Sequence, residues 1–213
     1  MTTGYLQGKL VLISVVSTLT FGLSALPTRA DVDFHFPIGI SYASGLTDVT
    51  DAIETGLENQ YGFGVDTFSI PVGLSLHPYI EFDFGLGVGL SIGPAQFVAI
   101  EVDTYGPGFS TSDSSFDYLI PVGADLRYTL FRDRSVSPYA RVGFRYPIVG
   151  GDYLEDSSPG IFGALGVEFY RNKKVGFGIE FGYDTSEVDV SVGGGVTETV
   201  KPCEFMISIF ALF

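Results

Sequence analysis

Eight times along the chain, large apolar residues recur at every second position. In Val32 to Tyr42 every even residue is bulky and every odd one is polar, Gly or Pro. The same even parity runs through 68–76, 80–92, 118–128 and 138–146. Beyond 149–159 it changes to odd, in 161–169 and 175–183; the last segment, 203–213, follows it less strictly. A period of two sends alternate side chains to opposite faces, which only a β-strand does. Segments of this size match the ~9–11 residues a tilted strand needs to cross a bilayer.

The second face decides which way these strands turn. It carries Gly85, Gly87, Gly89 and Ser91 in one segment and Gly176, Gly178 and Gly182 in another. An eight-stranded barrel has an interior only wide enough for side chains to fill. The bulky face would not fit inside, and a glycine face would make a poor solvent exterior. Turned the other way, bulky residues meet lipid, and small and charged residues fill the lumen. Closure also satisfies every backbone group in lipid. The expected fold is all-β: an eight-stranded antiparallel up-and-down transmembrane β-barrel over 31–213. Short turns are expected at 77–79, 131–137 and 171–174, and long polar loops at 43–67, 93–117, 149–160 and 184–202. Short periplasmic turns and long extracellular loops are the outer-membrane pattern, so both termini are expected in the periplasm and the localisation in the cell outer membrane.

The first 30 residues read differently. Lys9 precedes an apolar run from Leu10 to Leu26, Pro27 breaks it, and Ala30 supplies a small residue for cleavage. That is the layout of a cleavable signal peptide, 1–30. Later stretches stay well short of the ~18 apolar residues of a transmembrane helix. The formal charge is −14, with 25 acidic against 11 basic residues, which argues against nucleic acid as a partner. Cys203 is the one cysteine, so no disulfide framework or cysteine metal site is expected.

The interior face collects ions. Glu81, Asp83, Asp125, Glu168, Glu180 and Glu204 are its carboxylates; Arg127, Arg141 and Arg145 are its cations. A turn centred on Arg134 would place Arg127 opposite Arg141, a like-charge pair that needs Glu168 and Asp125 between. Such a lumen charge network either plugs the barrel or lines a path for ions; the small strand number favours the plug. No acidic group has calcium-loop spacing, and no metal or cofactor is expected. His35 and His77, with Ser75, raise a hydrolase reading. A nucleophile needs a base within hydrogen-bond reach, however, and these histidines fall near the periplasmic end, where a plain packed pair is expected.

The loops are acidic. In the first, Val49, Ile53 and Leu57 recur every four residues among Asp48, Asp51, Glu54 and Glu58, predicting a short helix of about ten residues that could cover the barrel mouth. In the fourth, 187–192 and 196–200 predict a hairpin turning at 193–195, whose edge could accept another strand. Acidic loops suit divalent-cation bridging to lipopolysaccharide or a basic partner.

Ile120-Pro-Val-Gly-Ala-Asp-Leu-Arg-Tyr128, followed by Ser137-Pro-Tyr-Ala-Arg-Val-Gly-Phe-Arg145, resembles the paired strands of the small outer-membrane β-barrel proteins. That superfamily holds the opacity proteins, outer membrane protein X and the barrel of outer membrane protein A. Phe144 stands where a second glycine is usual. Phe205, Ile207, Ile209, Ala211 and the terminal Phe213 resemble the C-terminal signal read by the barrel-assembly machinery. The resemblance implies a fold and a membrane, with lipid and lipopolysaccharide as surroundings, and no single activity. The reading that follows is a non-enzymatic outer-membrane barrel with a structural, adhesive or partner-binding role through its loops. The alternatives are a small pore or conduit for a solute, and a lipid A-modifying enzyme.

Overall fold

A computed structural model describes residues 32–61, 65–106, 109–171, 173–192 and 196–213. The expected signal peptide, 1–30, lies outside the described residues, as does the loop tip at 193–195.

The chain crosses the wall eight times. β1 (Val32–His35) and β2 (Ile38–Ala43) form the first crossing, followed by helix α1 (Leu46–Tyr61). β3 (Val65–Ile70), β4 (Val72–Leu76) and β5 (Tyr79–Phe82) form the second, β6 (Leu86–Ile92) and β7 (Gln96–Gly106) the third. β8 (Phe109–Thr129) and β9 (Val136–Gly150) are the long fourth and fifth. β10 (Leu154–Ser158) stands above the wall; β11 (Gly160–Phe169) and β12 (Gly176–Asp184) return to it. β13 (Glu187–Ser191) and β14 (Thr197–Val200) join β10 in a separate three-stranded sheet, and β15 (Phe205–Leu212) is the eighth crossing. Every neighbour is antiparallel, and β15 pairs with β2 from Met206↔Ala43 to Ala211↔Ile38, which closes the barrel.

The second crossing corrects the expected turn at 77–79. The register from Val32↔Phe82 to Tyr42↔Val72 is unbroken, so the chain runs extended through His77-Pro78. The turn is at Asp83-Phe84-Gly85, where Gly85 takes a φ of +86° that suits glycine. The expected loop at 93–117 is also mostly wall: β7 and the upper half of β8 pair from Gln96↔Leu119 to Gly106↔Phe109. The irregular stretch Gly93-Pro94-Ala95 shifts the register by one and inverts the parity above it, so Phe97 faces out and Val98 in. The predicted helix is longer than ten residues, spanning sixteen.

Outside, the bulky face forms an exposed apolar belt, with Phe144 70%, Leu165 67% and Phe34 65% exposed. In water such a belt would be an aggregation surface; in a bilayer it is the lipid face. Inside, the two halves differ. Toward the loops, α1 turns Leu46, Val49, Ile53 and Leu57 onto Val98, Ile100, Leu119, Val188 and Val190, all buried in one apolar core. Asp48, Asp51 and Glu58 stay exposed on its other side. A helix this short is marginal alone; burial of that stripe holds it, and it stoppers the loop end. Toward the turns, the interior is polar.

Candidate functional site

The polar half of the lumen is built on the small-residue face of the strands, where glycines leave volume that long charged side chains occupy. Arg127 on β8 is 1% exposed. Its guanidinium lies between two rings, 3.4 Å from the Tyr139 centroid and 4.3 Å from that of Tyr79, an electrostatically favourable cation–π arrangement. Glu168 on β11 lies 2.7 Å from Arg127 and accepts from Tyr79 Oη at 3.1 Å and from Arg171 at 2.9 Å. Arg171 also binds Glu81 and approaches His35 Nε2 at 3.0 Å.

One layer up, Arg141 on β9 grips Glu180 with two nitrogens, at 2.5 and 2.7 Å, and reaches Asp125 at 3.1 Å. Asp125 is also bonded to His77 Nε2 at 3.0 Å, and Tyr139 Oη donates to Glu180 at 2.7 Å. Above this, Arg145 packs 3.6 Å from the Phe162 ring centroid and 3.6 Å from Asp184. Ions taken out of bulk water persist only when paired and hydrogen-bonded; here five carboxylates, Glu81, Asp125, Glu168, Glu180 and Asp184, interlock with four arginines, 127, 141, 145 and 171.

Little space is left. A cavity of about 30 Å³ lies beside Arg141, Arg145 and the mutually bonded hydroxyls of Ser41, Ser75 and Ser208. That is room for about two waters, not for a stream of hydrated ions. Ser75 is bonded to Ser41, while His77 is bonded to Asp125, and no hydrogen bond joins the two. Among the described residues no cluster of His, Cys, Asp or Glu could hold a metal ion.

The model of the outer membrane protein beta-barrel domain matches residues 15–202. The chain belongs to that family. As a member it is an outer-membrane β-barrel, and the belt described above is its lipid face. Its fold is similar to that of the outer membrane protein OprG from Pseudomonas aeruginosa, with a TM-score of 0.53 at 14% identity, covering 86% of this chain and 96% of that one. Two further solved structures match. A major outer membrane protein from Thermus thermophilus gives a TM-score of 0.42 at 15% identity over 85% of this chain and 98% of that one. Neisserial surface protein A gives 0.34 at 14% identity over 85% and 97%. No curated relative matches the sequence.

Of the nine charges expected inside this outer-membrane barrel, seven are buried there: Glu81, Asp125, Arg127, Arg141, Arg145, Glu168 and Glu180. Asp83 and Glu204 are corrections. Asp83 is exposed in the real turn, and Glu204 precedes β15, partly exposed, where it accepts from Tyr183 Oη at 3.2 Å. Both lie just past a strand end, where parity no longer dictates direction. The register does set Arg127 opposite Arg141, but each has acids of its own. His35 and His77 do not pack on each other; the Tyr79 ring stands 4.8 Å from one and 5.4 Å from the other. Phe205, Ile207, Ile209 and Phe213 point out from the last crossing, and Ala211 is half-buried.

Sequence reading missed Tyr79, Tyr139, Phe162, Arg171 and Asp184. A signal existed for two of them: Tyr139 and Phe162 are bulky residues on the parity otherwise kept for glycine and charge. Asp117 was also missed. It is fully buried and accepts from the backbone N–H groups of Asp152, Tyr153 and Leu154, at 3.0, 2.9 and 2.9 Å, tying the loop before β10 to the wall.

Proposed function

We propose that this outer-membrane barrel is a closed, non-enzymatic scaffold that presents its loop end to a partner outside the cell, with both termini and the short turns in the periplasm. The observation that carries the reading is the double closure of the lumen. A salt-bridged layer fills the turn half, and an apolar core around α1 fills the loop half. A pore needs a continuous wet path; a display scaffold needs rigid support under its loops, and both layers supply it.

The presented surface is acidic. Asp48, Asp51 and Glu58 on α1, Asp152, Glu155 and Asp156 around β10, and Glu198 on β14 are exposed. Complementary charge steers association, so the partner is read as one with a basic face. Catalysis is not part of the reading, because Ser75 lacks the base that nucleophilic attack would require.

The experiment is retention of a trapped electrolyte. Liposomes carrying the folded barrel should leak no faster than protein-free liposomes. Rapid leakage that scales with the amount of folded protein would replace the scaffold by a pore.

A further inference from the structure

We propose that the turn end of the barrel binds an anionic glycerophospholipid, whose phosphate is held by Arg134, Lys173 and Lys174 and whose acyl chain lies along Val136 and Pro138. This stands apart from any role of the loops, since it concerns the opposite end of the wall.

The turn at 130–135 and the one that opens at Tyr170 are joined: Tyr170 N donates to Ser135 O at 2.6 Å. Each begins with an aromatic in the left-handed region, Phe131 at φ 54° and Tyr170 at φ 55°. Bulky residues rarely adopt that conformation, and such strain concentrates at ligand contacts. The two rings are 59% and 55% exposed, beside the end of the lipid belt, where Val136 and Val175 are still about half exposed. Aromatic rings at that depth sit at the headgroup level of a bilayer. An open groove runs there between Phe131, Arg134, Ser135, Val136 and Pro138. One end is apolar wall; the other carries Arg134 beside Asp133, with the cations Lys173 and Lys174 on the joined turn.

The charges at this end sort themselves. Arg132 is bound to Asp33 at 2.6 Å and lies 3.8 Å from Asp133, a residue that also borders the groove. Arg171 is turned into the lumen toward Glu168 and Glu81. Arg134, Lys173 and Lys174 are exposed, and among the described residues none has a salt-bridge partner, the terminal carboxylate of Phe213 included. Arg134 lies over the Phe131 ring at 5.0 Å, which orients its planar fork. A guanidinium fork matches phosphate oxygens in two hydrogen bonds, and two lysines add point charges. A zwitterionic headgroup carries its own cation and gains less from all three.

The test uses the full folded barrel in phosphatidylcholine vesicles doped with spin-labelled phosphatidylglycerol, or with phosphatidylcholine labelled at the same chain position. Electron paramagnetic resonance then reads the motionally restricted fraction of each lipid. At low salt, phosphatidylglycerol should associate roughly threefold more strongly than phosphatidylcholine. The R134Q/K173Q/K174Q variant should lose most of that preference, R134K should lose part of it because an ammonium keeps the charge without the fork, and Lys201→Gln at the loop end should leave it unchanged. All four positions lie at the ends of the barrel wall, and heat-modifiable gel mobility checks that each variant is folded. Equal association of the two lipids with wild type would overturn the proposal. So would a preference that survives the triple substitution.

Discussion

Arg127 and Arg141 face each other directly across β8 and β9, yet each is neutralised by a different acid. Arg127 has Glu168 at 2.7 Å and two tyrosine rings; Arg141 has Glu180 at 2.5 Å and Asp125 at 3.1 Å. Two like charges side by side would push neighbouring strands apart. Here they recruit carboxylates from other crossings and from β8 itself, and so tie the wall together through its middle.

That arrangement makes Arg141 a sensitive position in the lumen, since it holds two carboxylates. Arg141→Ala strands Glu180 and Asp125 without their cation, which costs roughly 3–5 kcal/mol when the site is dry and less when water enters. Arg141→Ala combined with Glu180→Ala should cost less than the sum of the two single changes. Urea unfolding in lipid vesicles measures this. Additive losses would mean that the pair is not coupled.

Three glycines of the inner face are spacers for rings: Gly166 for Tyr139, Gly178 for Phe210 and Gly182 for Phe162. A Cβ at Gly166 would overlap the Tyr139 ring, whereas one at Gly163, on the outward face of the same strand, would meet only the Arg141 carbonyl oxygen at 4.0 Å. Gly166→Ala should therefore destabilise the barrel by about 1–3 kcal/mol through overpacking, and Gly163→Ala should shift stability by less than about 1 kcal/mol. Equal effects would mean that Tyr139 gives way freely.

Depth along the belt should set the cost of a charge. Leu165→Arg, in the middle of β11, should destabilise by about 2–4 kcal/mol, and Val175→Arg, at the turn end, by about 0–1 kcal/mol. Folding titrations in one lipid compare them. A reversed order would place the bilayer midplane at the turns.

Cys203 reports on the stopper. It is 1% exposed beneath the loops, 3.7 Å from Gln96 Oε1, and burial pushes its thiol up to about 12. Since the thiolate is the nucleophile, a maleimide should fail to label the folded barrel at neutral pH and label it quickly after unfolding. Fast labelling of folded protein would show that the loop-end core opens readily.

How far the sequence could be read depended on contrast between the two faces. Where lipid lay on one side and a polar lumen on the other, as in 118–128 or 175–183, alternation marked the strand. The turn at 83–85 left no trace because its hairpin pairs Ile80 with Val88 and Glu81 with Gly87. Even positions face even positions, so parity runs through it unbroken. A proline misled in the other direction. Pro78 read as a turn residue, yet like Pro37 and Pro71 it stands at a break within a continuous crossing, where Ala43 N donates to Pro71 O and His77 N to Pro37 O. In Phe97-Val-Ala-Ile100 the contrast vanished, since the interior there is the apolar core and both faces are hydrophobic. Seven charged residues of the site were visible by parity, whereas Arg171 and Asp184, at or past strand ends, were not. Tyr139 and Phe162 broke the parity pattern, but an aromatic side chain does not announce that a guanidinium will lie on it.

The central claim is that the lumen is shut, and single-channel recording in a planar bilayer tests it most directly. Wild type should show no steady open level, and Arg141→Ala should show brief, small openings as the salt-bridged layer loosens beneath an intact α1. A large, steady wild-type current that Arg141→Ala leaves unchanged would contradict the account.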